Sequence, residues 1–389
     1  MPESFARPLL LLPSLLAASC LATQSPQPPE PVGDRPARVL EGWAADKLLG
    51  WRVAQLFVLG GARDASTIPV NLHAKDIAVD LQNRVFLLDR AARRVLIYAA
   101  SGEYSGFLGR AGRGRGELAS PSGIAVSEAG DLWVWDSDKR SLVGFGPSGT
   151  MLPERPIASV GTALSFRFLR GDTLLIFEAR QDTLVLSEHA GGSRKPISSF
   201  VRDSVRMLNS SACRFSDIPL RPLFSATLLW DSRADTVAIN EGGGTVVRIT
   251  ARNQEELLLR RFLSPRSVTR ALANVSLREG RMTVAVGEEK PCRIPPQDIL
   301  QSAGTAPVFP AYSDVMLVPN GLLWAIRYRA PDETGYKADV FSLQTGYVGT
   351  LLLGAAHPVM ARPDGTLISL EAVAGKPATL TIYRVERPQ

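Results

Sequence analysis

The stretch DIAVDLQNRVFLLDRAARRVLIYAASG, residues 76–102, is followed 47 residues on by GIAVSEAGDLWVWDSDKRSLVGFGPSG, residues 123–149. The offset carries Ile77-Ala78-Val79 onto Ile124-Ala125-Val126, Asp89 onto Asp136, Arg93 onto Arg140, Tyr98 onto Phe145 and Gly102 onto Gly149. Each copy is a series of short apolar runs separated by turn residues. Self-similarity at such a period, with strands inside each copy, marks an array of repeated small sheets.

Working outward, the first copy divides into Asp76–Asp80, Arg84–Asp89, Arg94–Tyr98 and an outer strand Glu103–Leu108. The second has Gly123–Val126, Leu132–Asp136, Ser141–Phe145 and a weaker outer strand near Met151. Later copies are eroded but legible, starting at Phe166, Ala226, Val315 and Pro358, with turns such as Pro319-Asn320-Gly321 and Pro363-Asp364-Gly365. The last copy ends one strand short, while Val53–Leu59 forms an orphan strand ahead of the first. If the repeats close into a ring, the orphan supplies the missing outer strand, and no long sheet edge is left exposed. The expectation is an all-β, six-bladed β-propeller of four-stranded antiparallel blades, closed by the N-terminal strand. It spans residues 37–389.

Two stretches do not fit the repeat. Residues 202–222 contain Cys213. Residues 264–311 contain Cys292 and form a mostly irregular or helical insertion between blades 4 and 5, with a helix expected from Ser264 and Pro265 along Val268, Leu272 and Val275. Insertions of this kind sit over a mouth of the ring, where loops carry function.

The composition fits a globular chain with a sizeable core: 389 residues, 45% hydrophobic, with 33 Gly and 28 Pro for many tight turns. The net charge is +6, from seven lysines and 37 arginines scattered without a run or stripe. With no basic cluster and no RNA-reading motif, nucleic acid is not an expected partner. Leu9 to Ala18 is an apolar run of signal-peptide length, too short to span a bilayer. It ends in Ala17-Ala18-Ser19-Cys20, which resembles a bacterial lipobox with cleavage after residue 19 and lipid on Cys20. Simple secretion through the same cut is the alternative. Residues 20–36, rich in proline, read as a tether without a core of their own. Cys213 and Cys292 remain as an even pair, suited to a disulfide in an oxidising compartment or to two separate buried thiols.

The pattern Ile124-Ala125-Val126, Gly130, Leu132, Val134, Asp136, Arg140, Val143, Phe145, Gly149 resembles NHL-type repeats. The order of elements resembles bacterial six-bladed β-propeller proteins of the secreted or lipoprotein type. Their linker usually reads GxGPGEF; this chain has Gly114-Arg115-Gly116-Glu117-Leu118. The resemblance covers roughly residues 52–386 and is strongest over the first two blades. It implies the fold and little chemistry, since most such proteins have no defined activity. Some propeller enzymes that resemble NHL arrays, the peptidyl-hydroxyglycine lyases, hold zinc with channel histidines.

Candidate ligand-binding residues follow from position. His73 and His357 precede the innermost strands of blades 1 and 6, neighbours in a ring. Asp76 and Asp314 are the carboxylates that would join them at a metal, although zinc catalysis wants about three protein ligands. Tyr312, Trp324, Arg327 and Tyr328 bring aromatics and a base together near blade 5, a combination suited to recognition or to blade packing. The run Gly109 to Glu117 invites a phosphate-loop reading, but it leads into a strand rather than a helix and is better read as an inter-blade connection. The recurring Asp89, Asp136 and Glu178 read as turn-stabilising acceptors. No Ser-His-Asp spacing, nucleophilic cysteine or nucleotide signature occurs, so no catalytic residue, metal or cofactor is assigned. The expected function is binding or scaffolding in the bacterial envelope. The expected protein is a monomer, periplasmic or on the cell surface, that recognises a protein, peptide or glycan at a channel mouth. The alternative is a lactonase- or lyase-like enzyme with a metal in the channel.

Overall fold

Each copy of the repeat becomes one antiparallel sheet, and six such sheets form a ring. The computed structural model describes residues 37–59, 68–69, 71–157, 162–209, 219–251, 254–278, 294–371 and 377–388. Blade 1 runs Ile77–Val79, Val85–Asp89, Arg94–Tyr98 and Tyr104–Leu108 from the axis outward. Blade 2 has Pro121–Val126, Leu132–Asp136, Ser141–Phe145 and Arg155–Pro156; blade 3 has Thr162–Phe168, Leu174–Arg180, Thr183–Ala190 and Ser193–Val201. Blade 4 has Leu229–Arg233, Thr236–Asn240, Val246–Ala251 and Glu256–Arg260; blade 5 has Tyr312–Val318, Leu322–Arg327, Tyr336–Ser342 and Gly346–Gly354. Blade 6 has Pro358–Ala361, Leu367–Glu371 and Thr379–Glu386.

The closure expected from the orphan strand is present. Arg52–Val58 pairs antiparallel with Thr379–Glu386, from Arg52 opposite Glu386 to Val58 opposite Thr381, and so completes blade 6. One strand was not anticipated. Ala37–Glu41 adds in parallel to the outer edge of blade 4, in register from Ala37 opposite Glu256 to Glu41 opposite Arg260, so that this blade has five strands. Between the two strands the chain is fastened to the outer strand of blade 5. Leu49 donates its amide to the Thr350 carbonyl at 2.8 Å, and Thr350 donates to the Lys47 carbonyl at 2.7 Å.

The repeat positions are backbone positions. Asn83 and its counterpart Gly130 both take positive φ, 62° and 83°, at the tip of the first turn. Arg93 and Arg140 do the same at 53° and 54°, as do Gly102 and Gly149 at 91° and 83°. Asp80 closes the first turn by accepting the amides of Gln82 and Arg84 at 3.0 and 2.9 Å. Residues that tolerate the left-handed region, or bond their own backbone, recur because the turns recur.

Strand residues alternate between two junctions, and both are apolar. Leu87 faces blade 6, in a cluster with Ile368 and Ile382, while Phe86 and Leu88 face Ile124 and Val134 of blade 2. Every junction between neighbouring blades holds one such cluster, which is why the central strands read as nearly unbroken apolar runs. Where one copy enlarges a side chain, it shrinks the partner. Phe86 lies opposite Ile97 in blade 1, and in blade 2 the same pair is Trp133 opposite Gly144. A Cβ at Gly144 would stand 2.6 Å from the Trp133 ring.

The larger insertion differs in detail from expectation. Its first helix is Arg270–Arg278, beginning beyond Pro265, with the Thr269 hydroxyl accepting the Leu272 amide at 3.3 Å. Its fully buried residues are Ala273, Ser276 and Leu277, and Val268 and Leu272 of the expected face pack against the same core while Val275 is only half-buried. A second helix, Pro296–Ala303, carries proline at its first position. The smaller insertion contains a two-stranded ribbon, Arg206–Met207 with Pro219–Leu220.

Gly144→Ala is expected to destabilise the protein by about 1–3 kcal/mol through overpacking, read from the denaturant midpoint, and Trp133→Phe in the same chain to restore most of that loss. A loss that Trp133→Phe leaves unchanged would break the compensation argument. Truncation of the chain to begin at Gly50 is expected to lower Tm while preserving cooperative melting by circular dichroism. Truncation to begin at Leu59, which removes the closing strand, is expected to abolish it.

Candidate functional site

In a blade of four antiparallel strands, the loops after the second and fourth strands leave on one face of the ring and the turns after the first and third on the other. Both insertions follow fourth strands, so they rise on the same face, and they do not stay separate. Leu208 of the first, with Leu223 and Phe224 immediately after it, packs with Ala273, Leu277, Ile299 and Phe309 of the second in one apolar core. Leu223 accepts the Ala306 amide at 2.8 Å and donates its own to the Gly304 carbonyl at 3.0 Å, while the Ser302 hydroxyl accepts the Asn209 amide at 2.9 Å. Phe224, Phe309 and Tyr328 complete the core, with Phe309 stacked on Tyr328 at 5.5 Å between centroids. The result is a cap with its own packing, joined to blade 5 through Tyr328 and Ala330.

Below that face the innermost strands line the channel. They pack closely at the junctions of blades 1–2, 2–3, 4–5 and 5–6, and stand further apart at 3–4 and 6–1. The channel's charges gather on the innermost strands of blades 3, 4 and 5. Arg167 projects from the innermost strand of blade 3, Asp231 from that of blade 4 and Asp314 from that of blade 5, all three half-buried. Asp231 accepts the Leu317 amide at 2.8 Å, and Asp314 accepts the Val315 amide at 2.8 Å. Arg167 donates to its neighbour's carbonyl, Phe166 O, at 3.0 Å. Burial raises both carboxyls above the usual aspartate range, and Asp314, with Asp231 also beside it, is pushed up to about 7. Arg233 closes the far end, donating to the carbonyls of Leu317 at 3.1 Å and Ala361 at 2.8 Å. At the near end the short turn Ala74–Asp76 lies against the innermost strands of blades 2 and 3, and burial lowers the Lys75 ammonium within it.

Of the residues expected at the site, Asp314 alone lines this channel cluster. Asp76 is fully buried and closes the turn before blade 1, accepting the His73 amide at 2.9 Å and facing Arg90 at 3.1 Å. His73 itself is exposed. His357 stacks flat on Tyr336, 4.6 Å between centroids, with burial and Arg329 lowering its pKa. Among the described residues no group of three or more His, Cys, Asp or Glu is placed to hold a metal ion.

Tyr312 and Arg327 belong to an ionic clasp on the flank of blade 5. The Asp339 carboxylate, fully buried, accepts Arg327 at 2.7 Å, Thr350 Oγ1 at 2.9 Å and Tyr312 Oη at 3.3 Å. Arg327 also pairs with Asp46 of the N-terminal segment, as does the fully buried Arg261 at 3.0 Å, whose guanidinium lies over Tyr347. Two arginines and two aspartates balance in charge, and their role is to fasten the N-terminal segment. Trp324 is buried in the blade and Tyr328, half-buried, packs against the cap, so these aromatics near blade 5 are taken up by packing.

The glycine-arginine loop is occupied by its own anion. Glu117 accepts the Gly114 amide at 2.8 Å and Arg110 Nε at 2.9 Å, and its carboxylate fills the space a Cβ at Gly112 would need. Asp89 and Asp136 accept turn amides, Asp136 from Ala119, Ser120 and Lys139. Glu178 pairs with Arg180 at 2.9 Å and Arg194 at 3.1 Å. Cys20, Cys213 and Cys292 lie outside the described residues, as do the leader and the tether.

Arg167, Asp231 and Lys75 were not anticipated. The available signal was a charge inside an innermost strand. Blades 1 and 2 place Ile-Ala-Val there, whereas blades 3, 4 and 5 interrupt apolar runs with Arg167, Asp231 and Asp314.

No family model and no curated protein matches the sequence. Solved structures do match in fold. A protein of Bacteroides fragilis named as exported is 11% identical, covers 90% of this chain and 100% of its own, and superposes with a TM-score of 0.51. A gluconolactonase of Xanthomonas campestris is 11% identical over 84% of this chain and 97% of its own, with a TM-score of 0.41. A streptogramin B lyase is 11% identical over 86% and 98%, with a TM-score of 0.40. At these identities the likeness shows a propeller fold and carries no activity across. Among the described residues no helix is long and apolar enough to cross a membrane.

Because the folded-state value of Asp314 lies above the ordinary 3.8, it costs nothing below about pH 3.8. It destabilises the fold increasingly as the pH rises towards about 7, above which the penalty is constant. Asp314→Asn is therefore expected to raise Tm at pH 8 and to leave it nearly unchanged at pH 3.5. Equal loss of stability at both pH values would make Asp314 a structural residue.

Proposed function

We propose that this chain is a binding propeller of the bacterial cell envelope, exported and held by lipid at Cys20, which recognises its partner on the capped face of the ring. The observation that carries the reading is the cap. Two insertions, separated in sequence by the whole of blade 4, fold into one apolar core beside the channel mouth. An element with its own packing gives a fixed surface, which a recognition site needs and two loose loops would not supply. Val205, Met207 and Val308 in these insertions are exposed apolar side chains, which among protein, peptide and glycan partners favours a protein. Export is supported by the apolar run ahead of Cys20 and by the small residues Ala17 and Ser19 before it.

A photo-crosslinking amino acid placed at Met207 or Val308 is expected to trap one discrete partner in intact envelopes. The same group at Leu81, in the turn after the innermost strand of blade 1 and so on the opposite face, is expected to trap none. Equal trapping from both faces would refute recognition by the cap. In the same preparation the mature protein is expected to carry added acyl mass at Cys20; an unmodified N-terminus would leave export without the anchor.

A further inference from the structure

The channel cluster goes beyond recognition at the cap and does not depend on it. Elsewhere in the ring, buried carboxylates have their charge met by a partner. Asp76 faces Arg90 at 3.1 Å, Asp80 faces Arg84 at 2.6 Å, Glu178 faces Arg180 at 2.9 Å, Asp339 faces Arg327 at 2.7 Å, and Asp136 is met by three backbone amides. Asp231 and Asp314 are met less fully. Among the described residues neither forms an ion pair, and the only hydrogen bonds to their carboxylates come from backbone amides, fewer than Asp136 accepts. Arg167 is met no better. Its one bond to a described residue is to a carbonyl, although Asp231 and Asp314 are near enough for each to act on its charge.

A guanidinium and two carboxylates thus stand near one another on three successive innermost strands without closing into an ion pair. Opposite charges held at a separation, half-buried, and at a cost in stability, are arranged for something that fits between them. The complement of this arrangement is a molecule with an anionic end for Arg167 and a cationic donor end for the two aspartates. Arginine grips a carboxylate with two parallel N–H bonds, and paired carboxylates accept the several N–H bonds of an ammonium group. Arg233 is spent on carbonyls at the far end, and Lys75 sits towards the capped mouth.

We infer that the channel between Arg167, Asp231 and Asp314 binds a small zwitterion, namely a free amino acid, with its carboxylate on Arg167 and its ammonium on the aspartates. The test uses the full mature chain. The proteinogenic amino acids, in both enantiomers, and calcium chloride are screened by thermal shift, and hits are titrated by calorimetry. The best ligand is then compared with its methyl ester, which lacks the anion, and its N-acetyl derivative, which lacks the cation. At least one free amino acid is expected to bind. Each derivative, and each of Arg167→Gln, Asp231→Asn and Asp314→Asn, is expected to weaken binding roughly tenfold or more, the effect of losing a charge-assisted hydrogen bond. Arg167→Gln is expected to leave the affinity of the methyl ester nearly unchanged, a readout that general damage to the fold would not give. Melting of each variant reports folding separately. Absence of binding by every amino acid, an N-acetyl derivative that binds as well as its parent, affinity indifferent to Arg167→Gln, or stabilisation by calcium alone would each overturn the assignment.

Discussion

Each blade is apolar on both faces, and that constraint governs the molecule. A sheet with Phe86 and Leu88 on one side and Leu87 on the other has no face to give to water. It needs a neighbour on each side, and the neighbour needs another. An open row of such sheets would leave two raw faces at its ends, and the ring is the arrangement that leaves none. Closure then falls to the pairing of Arg52–Val58 with Thr379–Glu386, which joins the two ends of the sequence in one sheet. Side-chain ties on the turn face work in the same sense. Arg362 donates to the carbonyls of Asn83 and Ala100, holding blade 6 to blade 1, and Arg233 ties blade 4 to blades 5 and 6.

Much of this was readable from residues alone. The 47-residue offset located blades 1 and 2, the missing last strand located the closure, and the conspicuous Asp and Gly residues of the repeat proved to serve turns. What escaped the reading had physical causes. The parallel strand Ala37–Glu41 is short and only partly buried, so it carries no clear alternation to mark it. Its partner lies more than two hundred residues away, and long-range pairing leaves no local trace. The union of the two insertions was hidden for a similar reason. Each alone has too few apolar residues to form a core, and only the fold of blade 4 between them brings Phe224 to Phe309.

The site was less legible than the scaffold because the conspicuous residues and the charged ones left without an ion pair are different sets. Histidines and an aromatic-arginine group attract attention in a sequence, yet here Arg327 and Tyr312 are absorbed into a balanced clasp and His357 into a stack on Tyr336. Arg167 and Asp231 are ordinary residue types in the chain's more eroded repeats. They become notable once their lack of an ion pair is visible, in a protein that elsewhere pairs most of its buried charges. The raised pKa of Asp314 expresses the same imbalance, with carboxylates placed where the surroundings do not favour their charge.

The course of the N-terminal segment has a mechanical consequence. A force arriving along the chain from ahead of Ala37 does not act first on the strand that closes the ring. It meets the parallel pairing on blade 4, then the ion pairs of Asp46 with Arg261 and Arg327, then the amide bonds of Lys47 and Leu49 to Thr350. Three attachments in series must give way before tension reaches Arg52. A protein hung from its first residues would thus carry its own strain relief, and a nick or a tug on the leash would be absorbed by blades 4 and 5 while the ring stays shut.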